Sequence, residues 1–187
     1  MTPWIQNVSL IAVKKGEHAA TGDNTILIQI VDPMTEFPVP TQKFQEVFQF
    51  EFLDVEDGGK TNFGDGHLVD MSEFAITDDQ AVALVKILQT AKEKNQNVVV
   101  HCHAGICRSG AVCEVGVMMG FADTKVFRSP NLLVKHKMMK TLGWTYDSDE
   151  PHSVNGIVLP EDWTNDNEKV FILAQARKQF REHEGDI

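Results

Sequence analysis

The chain has 187 residues, of which 42% are hydrophobic and 24% are charged, proportions typical of one globular domain that buries a core without disulfides. Its formal net charge of −10 disfavours broad binding to nucleic acids or to anionic membranes, because both need a basic surface. No segment reaches the roughly 20 consecutive apolar residues that span a bilayer, and the amino terminus lacks the pattern of a secretory signal. We therefore expect a single cytoplasmic domain over residues 1–187.

The chain contains three cysteines, and they lie close together. Cys102, Cys107 and Cys113 cannot form a framework of disulfides across the fold. This clustering predicts a reducing compartment and reactive thiols at Cys102 and Cys107, whereas Cys113 is expected in the core.

In the first half of the chain, short apolar runs predict strands separated by irregular connections. Residues 9–13 form a weak strand candidate. Thr25–Val31 is β-branched and almost entirely apolar, as expected of a strand covered on both faces, and Asp32 and Pro33 end it. A further strand is predicted over residues 46–53, followed by an inserted glycine-rich loop over residues 56–70.

In the second half, helices alternate with one buried strand. Thr77 and Gln80 have the spacing of a capping box that opens a helix running to about Asn95. A strand over residues 98–100 follows, then helices over residues 108–120 and 131–142. This order predicts an α/β fold with a central, mostly parallel sheet of about four to five strands flanked by helices.

Beyond these elements, residues 143–187 are predicted to form an acidic carboxyl-terminal extension. Its first part, up to Trp163, is irregular, and Asn165 or Asn167 can cap a final amphipathic helix.

The ten residues after the strand at 98–100 form the most informative motif. They read His-Cys-His-Ala-Gly-Ile-Cys-Arg-Ser-Gly, from His101 to Gly110. A loop that wraps an anion needs inward-pointing backbone N–H groups, and Gly105 permits that curvature. A helix beginning near Arg108 adds its positive end, which favours a bound anion and an anionic sulfur on Cys102. The motif predicts a phosphate-binding loop with a cysteine nucleophile at the carboxyl end of a strand.

Each polar residue of the loop has a chemical role that its type suggests. The planar fork of Arg108 matches two phosphoryl oxygens, where a lysine would give only a point charge. Ser109 can donate its hydroxyl to the Cys102 sulfur, which makes the sulfur a better leaving group when a phosphocysteine is hydrolysed. His101 is expected to orient the loop rather than to act as a base.

The loop resembles the signature of the cysteine-dependent protein tyrosine phosphatase superfamily, in which His-Cys is followed by five residues, arginine and serine or threonine. Two other segments resemble the dual-specificity branch: residues 128–133, with the Pro-Asn step before a helix, and residues 47–54, the strand that delivers the catalytic aspartate. The resemblance spans roughly residues 25–142. It implies phosphate-ester hydrolysis through a phosphocysteine, with a phosphorylated protein or peptide as substrate and without a metal or cofactor. The substrate-binding residues it implies are His103, Ala104, Gly105, Ile106 and Cys107.

Several carboxylates could serve as the general acid that protonates the leaving oxygen. Asp54 is the leading candidate because it lies where the strand ends. Asp57 follows on the same loop, and Asp70 has a more compact spacing to Cys102 but no predicted strand before it. Asp65 and Glu56 are further candidates.

Cys107 is open to two interpretations. A cysteine directly before the arginine resembles the low-molecular-weight tyrosine phosphatases, in which a second loop cysteine can pair with the first, although that class carries its loop at the start of the chain. We hypothesise a reversible Cys102–Cys107 disulfide on oxidation; the alternative is that Cys107 only packs.

Other functions remain open alternatives to a protein phosphatase. The same loop could belong to a pseudophosphatase that binds phosphate without turnover. It could also act on an RNA 5′-phosphate, which the acidic charge disfavours, or on a phosphoinositide, which the absence of lysine from the loop disfavours. A zinc site formed by His101, Cys102, His103 and Cys107 is a further alternative, disfavoured because Arg108 would repel the cation.

Overall fold

The computed structural model describes residues 2–19, 22–55, 59–62 and 66–144. The elements in chain order are β1 (Trp4–Ser9), α1 (Leu10–Lys15), β2 (Thr25–Val31), β3 (Val47–Glu51), β4 (Lys60–Asn62), β5 (Leu68–Asp70), a short 3-10 helix (Ser72–Phe74), α2 (Asp78–Glu93), β6 (Asn97–Cys102), α3 (Arg108–Met118), β7 (Ala122–Asp123) and α4 (Leu132–Thr141). The predicted helix beginning at Asn165 or Asn167 lies outside the described residues. The extent of the single domain over residues 1–187 therefore stays a prediction.

Five strands form one parallel sheet in the order β3-β2-β6-β1-β7. The predicted α/β class, with four to five mostly parallel strands, is thus confirmed. β6 is the central strand, and its valines at 98–100 are fully buried between β1 and β2. All carboxyl ends of the strands meet at one edge of the sheet, and β6 ends there at Cys102.

The two faces of the sheet are covered by different parts of the chain. Alternate side chains of a strand point to opposite faces. Ile26, Ile28 and Ile30 therefore pack in one cluster with apolar residues of α2, α3 and α4. Leu27 and Val99 point the other way and pack with Val13 of α1. Burial on both faces explains why the sequence of β2 is almost entirely apolar.

The amino-terminal prediction is wrong, since residues 9–13 do not form a strand. The Ser9 hydroxyl accepts a hydrogen bond from the backbone N–H of Ala12 at 3.1 Å and so caps α1, which Gly16 ends with a φ of 71°. The strand lies earlier, at Trp4–Ser9, and occupies an interior position beside β6. A short apolar run does not distinguish a strand from a helix, and here the capping serine decides.

Two predictions around the middle of the chain have different outcomes. The inserted segment at 56–70 is not only a loop, because β4 and β5 pair in it as an antiparallel two-stranded sheet. The capping box is confirmed: the Thr77 hydroxyl accepts from the Gln80 N–H at 3.1 Å, and the Thr77 N–H donates to Gln80 Oε1 at 2.9 Å. Gln80 Nε2 also donates to the Glu51 carbonyl at 3.0 Å, which ties the start of α2 to the end of β3.

Within residues 2–19, 22–55, 59–62 and 66–144, no helix has both the length and the apolar character needed to cross a membrane.

Candidate active site

The candidate nucleophile lies at the carboxyl end of the central strand. Cys102 is the last residue of β6, pairs in register with Ser9 of β1, and is only 2% exposed. The chain then turns through residues 103–107 and enters α3 at Arg108. The loop is thus placed at the sheet edge where open α/β folds bind ligands, with a helix N-terminus beside the sulfur.

Residues of β1 and of the start of α1 hold this loop by hydrogen bonds. Asn7 Nδ2 donates to the Gly105 carbonyl at 2.7 Å and to the Phe127 carbonyl at 2.9 Å. The Leu10 N–H donates to the His103 carbonyl at 3.1 Å. The sequence did not identify Asn7, because its role depends on β1 lying next to β6.

Gly105 is required at its position for two reasons. Its φ is +75°, and a Cβ there would lie 2.3 Å from the Val8 carbonyl carbon. We expect Gly105→Ala to lower the free energy of unfolding by about 2–5 kcal/mol, from the left-handed backbone and the backbone overlap together. Denaturant unfolding measures this loss.

Gly143 provides the matched control for Gly105. It has a similar φ of +70°, but a Cβ added there would meet no atom of the described residues within 4 Å. Gly143→Ala should therefore cost only about 1–2 kcal/mol, the backbone contribution alone. Equal losses in the two variants would contradict the close contact between the loop and β1.

A hydroxyl lies within hydrogen-bonding distance of the candidate nucleophile. Cys102 Sγ is 3.2 Å from Ser109 Oγ, and both atoms are buried. Ser109 follows Arg108 in the first turn of α3. The geometry allows the hydroxyl to donate to an anionic sulfur, the role that the sequence suggested for Ser109.

The Arg108 guanidinium is buried and points into the protein, not toward bulk water. Its side chain is 4% exposed, and Nη1 donates to Asp32 Oδ1 at 2.6 Å and to the Phe52 carbonyl at 2.7 Å. Buried Nε has no hydrogen-bond partner among the described residues. One nitrogen is thus anchored by the ends of β2 and β3, which leaves the rest of the fork available for an oxyanion.

Asp32 is a site residue that the sequence reasoning missed. It appeared only as the residue that ends the strand before Pro33. Its proximity to Arg108 follows from the pairing of β2 with β6, which brings the two carboxyl ends together. An acidic residue directly after a buried parallel strand was the available signal.

His101 is fully buried in the strand before the loop. Burial lowers its pKa to about 4, and the nearby Arg108 charge acts in the same direction. The imidazole is therefore neutral near pH 7, which agrees with an orienting role better than with that of a base.

The described acid candidates have different surroundings. Asp54 is exposed, follows β3, and accepts a hydrogen bond at Oδ1 from Asn131 Nδ2 at 2.7 Å. Asp70 ends β5, although no strand was predicted before it, and hydrogen bonds from Ser72 lower its pKa, which favours the carboxylate over the acid. The other three candidates, Glu56, Asp57 and Asp65, lie outside the described residues.

The remaining loop residues line or support the same turn. His103 is exposed, Ala104 and Ile106 are half-buried, and Cys107 is buried. Cys102, Cys107 and Cys113 form no disulfide in the described part of the chain, so the Cys102–Cys107 disulfide stays a prediction. In the described ranges, no group of three or more His, Cys, Asp or Glu side chains is arranged to hold a metal ion, and this includes the four residues of the zinc alternative.

Residues 72–149 match the family model of the protein-tyrosine phosphatases. The matched segment contains the entire loop from Cys102 to Ser109 together with α3 and α4. This segment of the chain is thus similar to the protein-tyrosine phosphatases. The match begins after Asp54, so the assignment of the acid depends on the geometry around that residue.

Among solved structures, the chain is similar to OH1 from the Orf virus, described as a tyrosine phosphatase with distinct structural features and triple substrate specificity. The two are 24% identical, with a TM-score of 0.39, over 63% of this chain and 57% of the viral one. The chain therefore spans less than two thirds of the length of that phosphatase. No curated protein matches the chain significantly.

Proposed function

We propose that the protein is a phosphomonoester hydrolase, a protein tyrosine or dual-specificity phosphatase that acts through a phosphocysteine on Cys102. The observation that carries this proposal is the arrangement of three side chains. Cys102 Sγ lies 3.2 Å from Ser109 Oγ at the base of the loop, and Arg108 is anchored beside it by Asp32 at 2.6 Å. A nucleophile, its hydroxyl donor and a preoriented guanidinium are the parts that phosphoryl transfer needs.

In the first step, the Cys102 sulfur attacks phosphorus. An S–P bond forms while the bond from phosphorus to the leaving oxygen breaks, and Asp54 gives its proton to that oxygen. The loop N–H groups and the free part of the Arg108 fork hold the equatorial oxygens, which carry the developing charge.

In the second step, water attacks the phosphocysteine. Asp54, now a carboxylate, takes a proton from the water, an O–P bond forms, and the S–P bond breaks to release inorganic phosphate. The Ser109 hydroxyl stabilises the departing sulfur anion by donating to it. The group that acted as acid in the first step thus acts as base in the second.

Phosphotyrosine in a protein or peptide is the substrate class we favour. The superfamily resemblance supports it, and the loop positions His103 and Ile106 carry no lysine that would favour an inositol phospholipid. The net charge of −10 disfavours an RNA 5′-phosphate. A panel of phosphopeptides, phosphoinositides and 5′-phosphorylated RNA separates these classes. A cytoplasmic location is part of the proposal and rests on the sequence, whose three clustered cysteines suit a reducing compartment.

Asp54→Ala tests the general acid. We expect kcat to fall about 10²- to 10⁴-fold while substrate binding is kept, because a positioned acid acts on the leaving group and not on the bound phosphate. The loss should be larger for phenyl phosphate than for para-nitrophenyl phosphate, whose better leaving group needs less protonation. Steady-state kinetics with both substrates measure the effect.

Asp70→Ala serves as the matched control, since Asp70 is an exposed aspartate on the β4–β5 hairpin. It should retain the parent rate. An unchanged rate in Asp54→Ala would move the acid role to Asp57 or Asp70. Phosphopeptide binding by the parent without any turnover would indicate a phosphate-recognition module instead.

A further inference from the structure

Asn131 uses every hydrogen-bonding group of its side chain in linking separate parts of the site. The residue is fully buried at the N-cap of α4, where Oδ1 accepts from the Val134 N–H at 2.9 Å. Nδ2 donates to Asp54 Oδ1 at 2.7 Å and to the Val55 carbonyl at 2.8 Å. A primary amide has two N–H donors, and both donate to the segment that carries the candidate acid.

The backbone of Asn131 contacts the phosphate loop. Its N–H donates to the Cys107 carbonyl at 3.1 Å, and this carbonyl also accepts from the Ala111 N–H of α3 at 2.9 Å. The neighbouring Ser129 N–H donates to the Ile106 carbonyl at 3.3 Å. Asn131 thus joins three parts of the site: the segment after β3 with Asp54, the phosphate-binding loop at Cys107, and the first turn of α4.

We propose that Asn131 is a positioning residue for Asp54, an inference that rests on the proposed function. It fixes the carboxyl relative to the phosphate loop and selects the oxygen that transfers the proton. The amide N–H occupies Asp54 Oδ1 and leaves Oδ2 as the oxygen free to carry and transfer the proton of the acid. Because Asp54 is otherwise exposed, losing this contact frees its side chain to leave the reactive geometry.

The variant Asn131→Ser separates this role from helix capping. Serine caps helices about as well as asparagine, but its short side chain has no N–H group to donate to Asp54. We expect kcat for phenyl phosphate to fall about tenfold or more, with a smaller loss for para-nitrophenyl phosphate. In an Asp54→Ala background, Asn131→Ser should cause no further leaving-group-dependent loss, since the group it positions is gone.

Asn24→Ser is the matched control for this experiment. Asn24 is exposed, and its Nδ2 donates to the Asn95 carbonyl at 2.8 Å, outside the site. It should keep the parent kinetics with both substrates. Should Asn131→Ser be too unstable to assay, Asn131→Gly keeps most of the capping preference, lacks the N–H donors and is expected to show the same selective loss.

Two results would overturn the inference. One is an equal loss with both leaving groups in Asn131→Ser; the other is a loss of the same size in the Asp54→Ala background. Either would mean that Asn131 acts only in folding or in phosphate binding. Failure of the proposed function looks different, because then the parent protein hydrolyses neither substrate or Cys102→Ser keeps the parent rate.

Discussion

Replacing Cys102 with serine is expected to abolish turnover while phosphate-ester binding remains. A serine hydroxyl is far less ionised than a thiol near neutral pH and cannot form the phosphocysteine, so kcat should fall by about 10³-fold or more. The loop, Arg108 and the start of α3 stay in place, since serine differs from cysteine in one atom. Hydrolysis of para-nitrophenyl phosphate in the presence of EDTA measures turnover, and phosphopeptide titration measures binding.

Cys113→Ala is the control for this variant. Cys113 is a fully buried cysteine of α3 whose pKa is raised by burial, so its thiol stays protonated and takes no part in the reaction. The control should hydrolyse the substrate at the parent rate once thermal unfolding shows that it is folded. Turnover that persists in Cys102→Ser would show that the chemistry does not pass through this sulfur.

Arg108→Lys is expected to have the second largest effect, a fall of about 10²- to 10³-fold in kcat/KM. The guanidinium can donate from Nη1 to Asp32 and to the Phe52 carbonyl and still present N–H groups to the phosphoryl oxygens. A lysine ammonium is a point charge on a flexible stem, so it satisfies either Asp32 or the phosphate, and it cannot reproduce the bidentate geometry. Steady-state kinetics and inhibition by inorganic phosphate measure the loss.

The same substitution at Arg128 controls for the general effect of exchanging arginine for lysine. Arg128 also forms an ion pair, with Asp123 at 2.6 Å, at the end of β7. Arg128→Lys should leave kcat/KM near the parent value. Comparable activity in Arg108→Lys and the parent would contradict the role of the guanidinium in holding the phosphate.

Local sequence patterns were sufficient for most of the elements that carry the loop. The apolar run Thr25–Val31 forms β2 within those bounds, and the capping box places the start of α2 at Asp78. These signals are local because side-chain alternation and helix capping involve residues only a few positions apart. The prediction failed at residues 9–13, where an apolar run of a few residues fits a helix and a strand equally well.

The residues of the candidate site also fall into two groups, those that the sequence indicated and those that it did not. Cys102, Arg108 and Ser109 fall within one short segment, so their relative placement follows from the curvature of a single loop. Asp54 was indicated by the end of its strand. By contrast, the sequence predicted no role for the three residues that hold the loop, Arg108 and Asp54 in place. They are Asn7, Asp32 and Asn131.

The sequence by itself indicated the candidate phosphate-binding loop, its candidate nucleophile and the resemblance to a phosphatase superfamily, because all the groups involved lie within ten successive residues and depend on local backbone geometry. Only the tertiary structure decided which carboxylate anchors Arg108 and which amide holds Asp54. Asp32 and Arg108 are separated by 76 positions, and Asp54 and Asn131 by 77. The strand order β3-β2-β6-β1 and the packing of α4 bring these pairs into contact, since the carboxyl ends of neighbouring parallel strands must meet at one edge of the sheet.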